Sequence, residues 1–157
     1  METTRHFVAT MYVVNQGATA LHHHERLDLW LPPGGHRQRE ELPHETALRE
    51  TREETGLSVE LLQSPNGPRS ETVRPLPQPA HLLLEDITVH GGEVGHQHID
   101  FIFFGRSTSR TIEPTGMDEQ PAASWEWFGP RQLREDDRLP EDVSRVGLEA
   151  IETAQAG

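Results

Sequence analysis

Glu50, Glu53 and Glu54 carry the clearest chemical signal in this chain, because their spacing puts three carboxylates on one side of a single helix. An α-helix advances about 100° per residue, so with Glu50 at zero Glu53 lies about 60° to one side and Glu54 about 40° to the other. Like charges at i,i+3 and i,i+4 oppose helix formation by roughly 0.2–0.5 kcal/mol per pair. A hard divalent cation reverses that sign, since Mg²⁺ takes oxygen ligands and commonly bridges carboxylates to substrate phosphates. Pro43 suits a first helical position and Gly56 a left-handed residue beyond the last turn, whereas Leu42 is a poor N-cap. Ala47, Leu48, Thr51 and Thr55 form the stripe that packs on a sheet, which leaves the carboxylates at its edge.

The helix belongs to a longer pattern. It runs from Gly35 through Glu41, Arg49, Glu50, Glu53, Glu54 and Gly56 to Leu57, and Trp30-Leu31-Pro32-Pro33-Gly34-Gly35 leads into it. The run resembles the Nudix box at every fixed position; the one departure is Thr51, where that family usually places an aliphatic residue. A 23-residue pattern at fixed spacing is far more specific than an isolated glycine motif.

The resemblance implies that Glu50, Glu53 and Glu54 are ligands of Mg²⁺, with Mn²⁺ as the alternative ion, and that Glu53 or Glu50 activates the attacking water. Arg49 would orient a ligating glutamate through a charge-assisted hydrogen bond. Gly35 would permit a close backbone approach and offer its carbonyl to the metal, with Gly34 serving the turn. Glu41 reads as structural, an anchor for the loop near the positive end of the helix. Many Nudix enzymes add an acidic residue from a later loop. The candidates here are Asp118 and Glu119, and Glu119 is preferred for its reach.

Other residues could serve the substrate. In His96-Gln97-His98-Ile99-Asp100, strand alternation puts His96, His98 and Asp100 on one face, where they could hydrogen-bond a substrate, hold a transition metal or serve as satisfied structural polar residues. The same stretch is similar to a His-x-His-x-Asp strand found in one branch of Nudix proteins. Trp30 could stack on a nucleobase or cap the core beside the glycine loop. His22-His23-His24 reads as an edge or partly exposed strand whose middle residue faces opposite to the other two. Glu126 would face away from Trp125 and Trp127.

The elements that must hold these residues follow from pattern. Phe7 to Asn15 and Ala18 to His24 read as a hairpin, Leu57 to Leu62 as a strand, and Ser64 to Pro79 as a proline-rich surface loop. Leu82 to His90 and His96 to Arg106 read as a second hairpin across Gly91–Gly95, and Trp125 to Phe128 as a last strand. Helices are expected near Pro130 to Glu135 and Glu141 to Gln155. This order predicts an α/β protein, a mixed sheet between helical layers in one domain over residues 1–157. The resemblance sharpens that to the Nudix α/β/α sandwich.

Composition narrows the function. Twenty-six acidic residues face fourteen basic ones, all arginine, for a formal net charge of −12, which argues against binding a nucleic-acid backbone. Cysteine is absent, excluding disulfides, thiolate nucleophiles and Cys-based zinc sites. No signal-peptide core or membrane-length apolar run occurs, so the expectation is a cytoplasmic protein with no membrane partner. The resemblance implies a hydrolase cleaving a diphosphate linkage in a small molecule, either a nucleoside diphosphate joined to another moiety or a nucleoside triphosphate. The alternative is a non-catalytic Nudix-fold nucleotide-binding or sensor module, although loss of turnover would more naturally erase a box carboxylate. A prenyl diphosphate isomerase is disfavoured by the missing cysteine. Homodimers are common among similar proteins, with the 64–79 loop or the first strand as the candidate interface.

Overall fold

The computed structural model describes residues 2–157. Among the described residues, eight strands form one mixed sheet. β1 (Thr4–Asn15) runs up its middle, and β2 (Ala18–His24), β3 (Leu29–Leu31) and β4 (Gly34–His36) follow it in the chain. After α1 (Pro43–Thr55) come β5 (Val59–Leu61), β6 (His81–His90), β7 (Glu93–Ser107) and β8 (Trp125–Phe128), then α2 (Pro130–Glu135) and α3 (Glu141–Ala156). β1 pairs in parallel with β7 from Thr4 to Val14, while its other edge is shared by β4 and β2, both antiparallel. β5 and β6 pair with the free edge of β7, and β3 and β8 pair with β2.

Alternation along the strands divides the core into two layers. Ala9, Met11, Val13 and Phe103 face α1 and pack with Ala47 and Leu57. Tyr12, Val14, Ile102 and Phe104 face the opposite way and pack with Val143, Val146, Ala150 and Ile151 of α3. This is the α/β/α sandwich expected from the order of elements.

Three departures from the sequence expectation have local causes. The second hairpin turns on Gly91 and Gly92 alone, both at positive φ (57° and 81°), so His90 pairs with Glu93 and β7 begins three residues early. β1 begins at Thr4 because β7 offers a partner as far as His96, which lets polar residues continue the ladder. β3 and β4 are three residues each, too short to show a period of two.

The buried side of α1 is a stripe of small residues. Ala47, Thr51 and Thr55 are fully buried as expected, Thr46 joins them, and Leu48 is half-buried. The Thr51 hydroxyl donates to the Ala47 carbonyl at 2.7 Å and Thr55 to that of Thr51, so neither threonine buries an unmet donor. Leu42 supplies no side-chain cap; Glu45 instead accepts the Leu42 N–H at 2.8 Å behind Pro43. Gly56 closes the helix at φ 74° with its N–H on the Arg52 carbonyl at 2.8 Å.

Candidate functional site

α1 and β4 meet where Gly35 faces Glu50. A β-carbon placed on Gly35 would lie 2.5 Å from the Glu50 carboxyl carbon, so the missing side chain is what lets the carboxylate reach the strand. Next to it, the Gly34 N–H donates to Glu54 Oε1 at 3.1 Å. The glycine pair therefore holds one carboxylate through the space it leaves and another through its backbone.

Arg49 ties the remaining groups together. Its Nη1 donates to Glu50 Oε1 at 3.0 Å and to Glu53 Oε2 at 3.1 Å, bridging two of the three box carboxylates. The rest of the guanidinium turns the other way, with Nε on Glu41 Oε2 at 2.7 Å and Nη2 on Glu41 Oε1 and on the His36 carbonyl, both at 3.1 Å. Glu41 also accepts from the Gln38 N–H and the Thr46 hydroxyl. These charge-assisted bonds hold Glu41 below the usual carboxylate range. Glu41 thus ties the loop at Gln38 to the helix and pairs directly with Arg49.

Glu119 joins the cluster through a loop tethered to the end of α1. The N–H groups of Thr115 and Gly116 donate to the Glu53 carbonyl at 2.8 and 3.0 Å, and Glu113 N–H donates to that of Thr55 at 2.8 Å. Carbonyls left unpaired at the helix end thus fix the later loop. A β-carbon on Gly116 would meet both Glu119 and Glu53. Burial and then the charges of Glu50, Glu53 and Asp118 raise the Glu119 carboxyl. Asp118 occupies the positive-φ turn position beside it, at 58°.

Four carboxyls so close cannot all be ionised at little cost without a cation. Glu54 records this most strongly: burial, followed by the charges of Glu50 and Glu119, pushes it up to about 9 despite the Gly34 hydrogen bond. His22 is the neighbour that sequence reasoning missed. It lies on β2, an interior strand flanked by β1, β3 and β8, and is buried, correcting the expectation of an edge or partly exposed strand at this residue. Its Nε2 is 3.8 Å from Glu54 Oε2, and burial, followed by the neighbouring His24 and His23, lowers it to about 4. His23 and His24 are half-buried. The oxygen-only donor set and the glycine cradle at Glu50 fit a hard divalent cation.

The expected substrate-side residues divide into separate settings. Trp30 packs edge-on to Phe128 at 5.5 Å between ring centroids, and the Arg138 guanidinium covers it at 4.6 Å, so it caps the α3-side core. Asp100 is buried, accepting the Thr10 hydroxyl at 2.9 Å and sharing a hydrogen bond with Glu85. His96 and His98 leave Asp100 and meet His6 and His36 instead. Glu126 pairs with Arg138 on the face opposite Trp125 and Trp127, as its strand position required.

The chain matches the NUDIX domain over residues 4–146. Its structure is similar to a NUDIX-family hydrolase from Clostridium perfringens, with a TM-score of 0.80, 28% identity, and coverage of 96% of this chain and 99% of that one. A MutT NUDIX hydrolase from Burkholderia pseudomallei shares the fold at a TM-score of 0.60 and 18% identity, covering 94% and 98% of the two chains. The Ap4A hydrolase of C. elegans does so at 0.52 and 16%, covering 99% and 98%. No curated protein sequence matches closely enough to carry an assignment. With the box residues gathered as described and the domain match spanning most of its length, this chain belongs to the Nudix family and is a hydrolase of phosphoric anhydride bonds.

Proposed function

We propose that the protein is a Mg²⁺-dependent pyrophosphohydrolase that cleaves the diphosphate linkage of a nucleoside diphosphate joined to another moiety, or of a nucleoside triphosphate. The observation that carries this reading is the convergence of Glu50, Glu53, Glu54 and Glu119 beside Gly35, with Arg49 bridging Glu50 and Glu53. Those four carboxylates and the Gly35 carbonyl are the groups that would hold the cation. When bound, the cation lowers the pKa of a coordinated water and neutralises charge on phosphate oxygens.

The protein's own groups then have distinct tasks. Arg49 holds Glu53 Oε2, which leaves Oε1 as the acceptor for a proton. The Glu53 side chain is 37% exposed against 16% for Glu50, so water reaches Glu53 more readily, and we assign Glu53 as the general base. Glu53 Oε1 takes a proton as the water oxygen bonds to phosphorus. The phosphorus–oxygen anhydride bond then breaks, and the departing phosphate keeps the electron pair. Glu41 fixes the far side of Arg49, and Gly34 fixes Glu54, so the carboxylates are oriented before substrate arrives.

Phosphate and pyrophosphate release across nucleoside triphosphates, nucleotide sugars, dinucleotides and coenzymes, with a phosphatase coupling step and a chelator control, tests this reading. Chelator-sensitive turnover of one class supports it and names the substrate. Absence of turnover across all four classes counts against it and favours a binding module.

A further inference from the structure

A second cluster of ligand-type side chains is built from residues other than the four carboxylates. His6 on β1, His36 on β4 and His96 on β7 each offer a ring nitrogen within 4.8 Å of the other two. The ladder registers explain why they meet. β1 lies between β4 and β7, with Val8 opposite His36 and Thr4 opposite His96, so His6 falls between them on the same face. The His6 ring sits edge-on to His96 at 4.6 Å and to His36 at 5.4 Å between centroids.

We propose that His6, His36 and His96 form a binding site for a transition metal of the zinc class, built by three neighbouring strands from residues other than the carboxylates of α1. Tetrahedral coordination at Zn–N distances of about 2.0–2.1 Å places ligand nitrogens about 3.3 Å apart, so the rings need only a modest approach. His6 and His36 are exposed and His96 half-buried, which gives the side chains freedom to turn and leaves the remaining position to water. Thr4 prepares His96 for this role. Its hydroxyl contacts the Gly95 carbonyl at 3.3 Å and His96 Nδ1 at 2.8 Å. In the tautomer that donates Nδ1–H to Thr4, the Thr4 proton goes to the Gly95 carbonyl and Nε2 keeps the lone pair for a metal. Imidazole nitrogens select zinc, cobalt, nickel or copper over Mg²⁺, whereas the carboxylates of α1 have the opposite preference. Since His36 follows Gly35 in the chain, an ion here would cross-link the sheet next to the glycine loop.

The test is titration of the full-length protein with Co²⁺ in saturating Mg²⁺, followed by its visible d–d absorption and by competition with Zn²⁺. The expected result is one equivalent of Co²⁺ in a low-symmetry nitrogen site, displaced by Zn²⁺ and weakened about tenfold or more by His6→Gln, with Glu53→Gln binding as wild type. His6 is exposed, and a thermal melt checks that the variant folds. Long-range nitrogen–proton spectra of the wild-type histidines, recorded with and without Zn²⁺, test the site without any substitution and should shift at His6, His36 and His96. The proposal is overturned if no Co²⁺ binds over Mg²⁺, if binding is lost in Glu53→Gln but kept in His6→Gln, or if Zn²⁺ moves none of the three rings.

Discussion

Arg49 and Glu41 form a two-pronged ion pair, Nε to Oε2 at 2.7 Å and Nη2 to Oε1 at 3.1 Å, and the same guanidinium reaches Glu50 and Glu53 through Nη1. A residue ahead of the helix therefore governs the orientation of two carboxylates within it. Both partners are about one-fifth exposed, so the pair is largely withdrawn from solvent screening.

Glu41→Gln removes the charge that fixes Arg49 while keeping the side chain's size. We expect Mg²⁺ affinity or kcat to fall about 10- to 100-fold, the scale on which outer ligand-orienting partners act. Stability should drop by about 1.5–3 kcal/mol, the range for hydrogen bonds to charged groups. Mg²⁺ titrations of turnover and denaturant melts check the two effects separately. A variant with unchanged turnover would show that Arg49 holds its position without Glu41.

Gly35→Ala places a methyl group 2.5 Å from the Glu50 carboxyl, and Glu50 must move aside. A displacement of about 1 Å at a reacting centre costs about 100-fold in rate, so activity should fall on that scale. Steady-state kinetics beside a thermal melt distinguish this from unfolding, because the displaced group is a single side chain and the melt should change little.

Glu85 and Asp100 make metal-free stability depend on pH. Burial and then Asp100 push the Glu85 carboxyl up to about 9 from an ordinary 4.5, so the folded protein holds a proton that the unfolded chain releases. Stability from this group is fully present below about 4.5 and is lost as pH rises through about 9. Glu85→Gln keeps a neutral donor facing Asp100 and should flatten that part of the profile, leaving the variant more stable than wild type at alkaline pH. Chemical denaturation across pH, in chelator, measures it.

Thr51 is the one soft position in the box, and its hydroxyl meets only the Ala47 carbonyl. Thr51→Val removes the hydroxyl at nearly constant shape, and the carbonyl keeps its helical partner. The stability change should stay within about 1 kcal/mol, since deleting a locally satisfied polar group leaves no buried donor unmet. Thr51→Leu adds bulk at a fully buried site and should cost about 1–3 kcal/mol. Urea melts of the two variants should separate them.

The residues of the site that follow from sequence are those whose spacing lies within one helix or one strand. Glu50, Glu53 and Glu54 fall in one arc because a helix imposes it, whereas the closeness of Gly35 to Glu50 comes from β4 lying against α1. Glu119 reaches the cluster because the helix-end carbonyls of Glu53 and Thr55 capture its loop, a link formed only in three dimensions. His22 illustrates what alternation cannot give. Period two predicts that His22 and His24 share a face, but whether the strand is central or at an edge depends on β3 and β8, which arrive from elsewhere in the chain. In the same way His96, His98 and Asp100 share a strand face as read, yet the pairing with β1 and β4 gives the histidines to His6 and His36 and gives Asp100 to Thr10.

Glu53, held by Arg49 on one oxygen, is proposed to take the proton of the attacking water. Its most direct test is the kcat of Glu53→Gln against wild type at saturating Mg²⁺ and substrate, with substrate binding measured on the same preparations. A loss of about 10²- to 10⁴-fold in kcat is expected, the usual contribution of a positioned general base, with substrate binding retained. Turnover within a few-fold of wild type would contradict it and move the proton to another group.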